Sequence, residues 1–121
     1  MSFALTTQQI LDETKDVTRR LGWAFLKDGE LFMPVKKCMG LKPGEKIVRL
    51  RDPLRAIKPR REQLCRMIDD LEYGTSECIR EGFPFMSPFE FIAMFCDTHN
   101  GCTPMSIITR IEFEYPKENH G

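Results

Sequence analysis

The chain has 121 residues, and its 18 Lys and Arg are balanced by 18 Asp and Glu. Apolar residues make up 41% and charged residues 30%, a usual globular composition that excludes a wholly disordered or fibrous protein. The length is that of one domain. No apolar run is long enough to cross a membrane and no signal peptide opens the sequence, so we expect a cytoplasmic protein without membrane contacts.

The first half of the chain predicts short strands separated by turns. Apolar or alternating segments predict strands at 3–5, 15–21, 31–36, 46–50 and 54–61. Thr6-Thr7 can cap a predicted helix over 8–13. Asp28-Gly29 predicts a turn, because glycine reaches positive φ without a steric cost. Pro59 interrupts the last of these strands, because proline lacks the N–H that a central strand donates.

The second half predicts helices followed by a final strand. Apolar residues at helical spacing predict a helix over 63–71 that stops at Tyr73-Gly74, and a short helix over 75–80 follows. Ser87-Pro88-Phe89-Glu90 is typical of a helix start, and that helix is expected to run to about residue 98. Strict alternation over 107–115 predicts a strand with one buried face.

This order of elements favours an α+β fold, with a small barrel or curled sheet covered by helices at its openings. We expect one domain over residues 1–116 and a frayed tail over 117–121.

The zero net charge conceals a strong asymmetry along the chain. Residues 14–66 carry fifteen Lys or Arg against six Asp or Glu, whereas residues 67–121 carry three against ten. The first segment therefore predicts a surface that binds polyanions, centred on the doublets Arg19-Arg20, Lys36-Lys37 and Arg60-Arg61. The alternative is that the fold interleaves the two segments and their fields cancel.

The cysteines indicate reduced thiols. There are five, at positions 38, 65, 78, 96 and 102, and no two of them form a CxxC pair. Cys96 and Cys102 flank His99, but this spacing matches no common zinc pattern, so we predict no metal site. The signatures of P-loop NTPases, Rossmann enzymes, zincins and serine hydrolases are also missing from the sequence.

One segment has a distinctive pattern, Lys15-x-x-Thr18 followed directly by Arg19-Arg20 and then by Gly22-Trp23. Further segments that match the same family in order are 3–6, 37–41, 44–46, 60–62, 80–83, 89–91, 101–104 and 109–113. Together they resemble the ASCH-domain proteins of the PUA-like superfamily, in particular the short bacterial and phage versions. The resemblance covers nearly the whole chain.

The resemblance implies a small PUA-like β-barrel flanked by helices, with a cleft that binds RNA or a modified nucleoside and needs no cofactor. One branch of the family removes the acetyl group of N4-acetylcytidine with a Lys, a Thr and a Glu. Lys15 and Thr18 reproduce the spacing of the first two, and Glu81 is the position that corresponds to the acid. These three residues are therefore the candidate catalytic group of a small amidohydrolase. A ribonuclease and a protein-interaction module that uses the acidic half are further alternatives.

Seven other residues are candidate ligand contacts. Arg19 and Arg20 are placed to hold a phosphate or to stabilise an oxyanion. Trp23 is the single tryptophan, and it either stacks on a base or caps the core. Lys36, Lys37, Arg60 and Arg61 either grip backbone phosphates or form a solvated surface.

Overall fold

The computed structural model describes residues 1–37 and 40–117, and an antiparallel sheet forms its centre. Its strands are β1 (Val17–Arg20), β2 (Leu31–Phe32), β3 (Leu54–Gln63) and β4 (Ile107–Glu114). Its helices are α1 (Thr7–Leu11), α2 (Arg66–Asp69), α3 (Leu71–Arg80) and α4 (Pro88–Asp97). The strand order is β1-β4-β3-β2, and the sheet curls into a half-barrel. The predicted α+β class is confirmed at this level.

Strand β4 lies inside the sheet, and it has buried residues on both faces. Ile111 and Phe113 belong to one apolar cluster with Phe3, and Ile108 belongs to a second cluster with Phe91 of α4. The prediction of a single buried face is therefore wrong. The strand lies in the middle of the sheet, and α3 and α4 cover its second face. Residues on both faces are therefore buried, although apolar and polar residues alternate in the sequence.

Strand β3 is interrupted at Pro59, as expected, and its pairing continues beyond that residue. The register between β3 and β4 shifts between Ile57 and Arg60, and Lys58 takes a φ of 42°. This bulge places Pro59 where no ladder hydrogen bond is needed, and pairing resumes as far as Gln63.

Two predicted strands are not formed as such. Residues 4–6 form a 3₁₀ turn, and residues 46–50 contribute one isolated bridge, between Val35 and Arg49. Short apolar segments become strands when a partner edge is available, which their own sequence does not encode.

The helical region divides differently from the prediction. Residues 63–71 do not form one helix, because Gln63 still belongs to β3 and α2 covers one turn. Asp70 caps α3 by accepting from Tyr73 N, and the helix runs through Gly74. A Cβ at Gly74 would meet Met67 O at 1.9 Å, so this glycine permits a close approach of α2 to α3. Ser87 and Glu90 form the predicted capping box of α4.

The predicted tail at 117–121 lies, except for Lys117, outside the described residues.

Candidate functional site

A cavity of about 340 Å³ lies between the N-terminal turn, β1, the end of α3 and α4. Its polar lining includes the side chains of Lys15, Thr18, Arg19, Arg20 and Glu81, together with the hydroxyl residues Ser2, Thr6 and Thr98. Its apolar lining includes Phe83, Phe91, Met94 and Phe95, and His99 also lines the cavity. The three candidate catalytic residues and the first arginine doublet are thus brought to one place.

Backbone contacts explain why the segment before β1 meets the end of α3. Asp16 N donates to Arg80 O at 2.9 Å, and the Gln9 side chain donates to Gly82 O at 3.1 Å. Gly82 has a φ of +96°, which lets the chain turn sharply after Glu81. Tyr115 Oη, just after the end of β4 that pairs with the start of β1, donates to Lys15 O at 2.5 Å. Lys15 is therefore fixed against Glu81 by its backbone as well as by its side chain.

Lys15 is 2% exposed, and its ammonium group is bound to Glu81 alone among the described carboxylates. Nζ donates to Glu81 O at 2.7 Å and to Glu81 Oε1 at 2.8 Å. Burial lowers the pKa of Lys15 more than the charge of Glu81 raises it. A lysine whose pKa is lowered gives up its proton more readily than an exposed one, which is the property required of a base.

Arg19 bridges Glu77 of α3 and Glu81, which directly follows that helix. Its Nη1 donates to Glu81 Oε2 at 3.0 Å and its Nη2 donates to Glu77 Oε1 at 2.6 Å. Its side chain is fully buried. Both carboxylate oxygens of Glu81 are thus occupied, one by Lys15 and the other by Arg19.

Thr18 and Arg20 lie two residues apart on β1 and contact each other. Arg20 Nε donates to Thr18 Oγ1 at 3.1 Å, and the Arg20 guanidinium lies 4.8 Å from the centre of the Phe3 ring. A hydroxyl that accepts from a guanidinium is stabilised in its deprotonated form relative to one in water. Thr18 is 3% exposed, so this contact is largely shielded from solvent.

The sequence interpretation missed Glu77 and Arg110, which extend the buried charges behind the cavity. Glu77 accepts from Arg110 through both Nε and Nη2 and also from Arg19. Burial by itself raises the pKa of Glu77, but the hydrogen bonds and charges of Arg110 and Arg19 outweigh it and lower that pKa to about 2. The sequence offers one signal for the position of Glu77. This residue precedes Glu81 by four residues, and residues four apart lie on the same face of a helix.

The network reaches the surface through Tyr73 and Glu62. Tyr73 Oη contacts both oxygens of Glu62, at 3.0 and 2.9 Å, and accepts from Arg19 Nη2 at 3.2 Å. Arg60 Nη2 also donates to Tyr73 Oη, at 2.8 Å, and Arg60 Nε donates to Glu62. The predicted phosphate-binding residue Arg60 is therefore the outer end of this network and lies outside the cavity wall.

The other candidate contacts lie outside the cavity wall as well. Trp23, at a φ of 65°, stacks on Phe25 with a centroid distance of 5.4 Å and packs on the first apolar cluster. Lys37 is exposed and lies 3.7 Å from Glu45, and Arg61 is exposed on β3 opposite Thr109. Lys36 is exposed beside the cavity, and its carbonyl accepts from the hydroxyl of Ser2, which lines that cavity.

Other features of the described residues bear on the remaining predictions. In residues 1–37 and 40–117 no three His, Cys, Asp or Glu side chains are grouped to hold a metal ion. Cys96 Sγ and Cys102 Sγ lie 3.5 Å apart as free thiols. None of the helices described is both long and apolar enough to traverse a bilayer. A larger, open depression of about 840 Å³, lined in part by Arg51 and Tyr115, contains none of the candidate residues.

Comparison of the chain with models of protein families, with curated proteins and with solved structures finds no significant match.

Proposed function

We propose that this protein is an ASCH-type, PUA-like domain that binds a nucleoside, either alone or within RNA, in the cavity beside β1. The observation that carries the proposal is the convergence of Lys15, Thr18, Arg19, Arg20 and Glu81 on one wall of that cavity. Lys15 and Glu81 are 66 residues apart in the sequence, and they are the lysine and the acid that the resemblance to the family implies.

The size and lining of the cavity suit a nucleoside. Ligand sites are commonly about 300–1,000 Å³ in volume and combine apolar walls with a few polar groups, and this cavity has about 340 Å³. Three cationic side chains share the lining with one carboxylate, to which Lys15 and Arg19 already donate, so the lining carries an excess of positive charge. Such a lining complements the carbonyl and phosphate oxygens of a nucleotide.

Binding within RNA is supported by the exposed lysines next to the cavity. Lys36 is joined to the cavity rim through Ser2, and Lys37 follows it. Both are exposed, as expected of side chains that contact a sugar–phosphate backbone on either side of a bound base.

Calorimetric titration with the four ribonucleosides, N4-acetylcytidine and a short single-stranded RNA tests the proposal. We expect at least one nucleoside to bind the wild type, and Arg20→Gln to weaken that binding about tenfold, because a charged hydrogen bond is removed. Arg55→Gln is the matched control, since Arg55 is exposed, pairs with Glu114 and does not line the cavity. Equal losses in both variants, or no binding by the wild type, would contradict the proposal.

A second candidate function is hydrolysis of the N4-acyl amide of cytidine, favoured by the lowered pKa of Lys15 in the cavity that holds Thr18. Thr18 Oγ1 would bond to the acyl carbon while its proton passes to neutral Lys15 Nζ. The C–N bond then breaks as the departing nitrogen takes a proton relayed through Glu81, which releases cytidine. Water cleaves the resulting ester and returns Thr18 with release of the carboxylic acid.

This second candidate is tested by chromatography of N4-acetylcytidine incubated with the purified protein. We expect cytidine to be released by the wild type and not by Lys15→Met or Thr18→Val, while Thr18→Ser retains part of the activity because the hydroxyl remains. Circular dichroism spectra of each variant establish that the fold is kept. Binding of N4-acetylcytidine without release of cytidine at high protein concentration would exclude the hydrolase and leave the binding function.

A further inference from the structure

The neutral ring of the cavity histidine is held in one tautomer by its neighbours. His99 Nδ1 lies 2.7 Å from Phe95 O, and a carbonyl oxygen has no proton to give, so Nδ1 carries the proton of the neutral ring. The other ring nitrogen, Nε2, is then an acceptor. Within residues 1–37 and 40–117 no hydrogen bond engages Nε2.

The ring is also held in orientation. It stacks on Phe95 with a centroid distance of 4.1 Å and an interplanar angle of 16°. Thr98 Oγ1 contacts the same Nδ1 at 3.1 Å and also bonds to Met94 O, so the end of α4 fixes the imidazole from the backbone side. A ring held in this way loses little conformational freedom when a ligand binds.

The charged groups of the cavity are largely committed to one another. Lys15 and Arg19 donate to the two oxygens of Glu81. Among the described residues the hydrogen bonds of the His99 ring involve Nδ1, so Nε2 is an acceptor that a ligand can use, in a cavity with an excess of cations and an aromatic floor.

We propose that His99 selects the ligand of this cavity by accepting a hydrogen bond at Nε2 from an amino or amide N–H on the edge of a nucleobase. The inference rests on the proposed nucleoside-binding function and specifies it. The base packs against the Phe91–Phe95 side, places its carbonyl oxygen toward the cationic wall and its N–H toward His99. A histidine that merely caps α4 explains the Nδ1 contact, but it predicts no dependence on the ligand's N–H.

The test combines a change in the protein with a change in the ligand. Cytidine is compared with N4,N4-dimethylcytidine, and adenosine with N6,N6-dimethyladenosine, by calorimetry on the wild type and on His99→Phe. Phenylalanine keeps a planar ring for the stack on Phe95 and removes the acceptor. We expect His99→Phe to weaken binding of the amino ligand about five- to tenfold and to leave binding of its dimethylated partner unchanged. His99→Gln, which restores an acceptor, should recover part of the loss.

The outcomes separate this inference from the function on which it rests. Binding of cytidine or adenosine by the wild type with equal affinity for His99→Phe would sink the role of His99 and keep the nucleoside site. An equal loss for amino and dimethylated ligands would show a structural role alone and would also overturn the inference. No nucleoside binding by the wild type would remove the proposed function itself. Nitrogen-15 chemical shifts of the imidazole add an independent readout, because Nε2 should move on ligand binding and Nδ1 should not.

Discussion

The cations of this chain fall into two groups with the same chemistry and opposite surroundings. Arg19 and Arg110 lie inside, between the sheet and α3, and the side chain of Arg19 is 0% exposed. Lys36, Lys37 and Arg61 lie on the surface, and the Lys37 side chain is 45% exposed. The basic segment of the sequence thus supplies both a structural network and a candidate binding surface.

The buried and the exposed cations differ in the carboxylates that surround them. Glu77 and Glu81 come from α3 in the acidic half of the chain, and they meet the buried cations at hydrogen-bonding distance. A buried charge without such a partner would be strongly destabilising, so the pairs hold β1, α3 and β4 in one arrangement. The exposed cations need no partner, because water solvates them, and their interactions are screened by salt.

The largest expected effect comes from breaking the buried group at its centre. Glu77→Ala leaves Arg19 and Arg110 without a shared carboxylate, and we expect the free energy of unfolding to fall by about 3–5 kcal/mol. Urea denaturation measures this. The control Glu114→Ala removes an exposed pair with Arg55, 3.5 Å apart, and should cost less than about 1 kcal/mol. Similar losses in the two variants would mean that burial does not distinguish the groups.

Acid should weaken the buried group and not the exposed one. The pKa of Glu77 is about 2 in the folded protein against 4.5 in an unperturbed glutamate, so its stabilising effect is complete above 4.5 and is lost as the pH falls toward about 2. We expect the free energy of unfolding to decrease over this range. In Glu77→Gln the decrease should be smaller, because the titrating group is gone. An unchanged pH dependence in that variant would contradict the assignment.

A smaller loss of stability is expected at Tyr73, which connects the buried Arg19 with the exposed Arg60. Tyr73→Phe removes the hydroxyl that contacts Glu62, Arg19 and Arg60, and we expect a loss of about 1–2 kcal/mol. Thermal unfolding followed by circular dichroism measures it. The matched control is Tyr115→Phe, which removes a single hydroxyl bond to Lys15 O. It should lower the free energy of unfolding by less than Tyr73→Phe does.

The smallest effect on stability is expected at the exposed group. The double change Lys36→Ala and Lys37→Ala should alter the free energy of unfolding by less than about 0.5 kcal/mol. Its effect should appear in RNA binding, where each lost phosphate contact lowers the slope of log affinity against log salt by about 0.7. Fluorescence anisotropy with a labelled single-stranded RNA at several salt concentrations measures this. A slope that does not change would remove these lysines from the binding surface.

Local chemistry in the sequence predicted those parts of the fold that depend on neighbouring residues. Ser87, Pro88 and Glu90 satisfy the first N–H groups of α4 among themselves, so the start of that helix was evident from the sequence alone. The turn at Asp28-Gly29 is equally local, and Gly29 takes a φ of 84°. Strand β4 was predicted correctly as an element, although its burial was not.

Elements that depend on distant partners were predicted less well. Residues 46–50 have a strand-like sequence, but their pairing is limited to the short segment at 34–36, through one isolated bridge and two further backbone hydrogen bonds. Tyr73-Gly74 resembles a helix stop, yet α3 passes through it, since the contact of Gly74 with Met67 O requires the missing side chain. In both cases the deciding contact is outside the local window of sequence.

The candidate site divides in the same way. The sequence by itself determined the pattern Lys15-x-x-Thr18-Arg19-Arg20, and the family that it resembles led us to predict Glu81 as the acid. Tertiary structure alone decided that these side chains share a cavity, that Glu77 and Arg110 stand behind it, and that His99 completes it. The physical reason is that a buried charge must find its opposite charge in space, and the chain here brings that partner from more than fifty residues away.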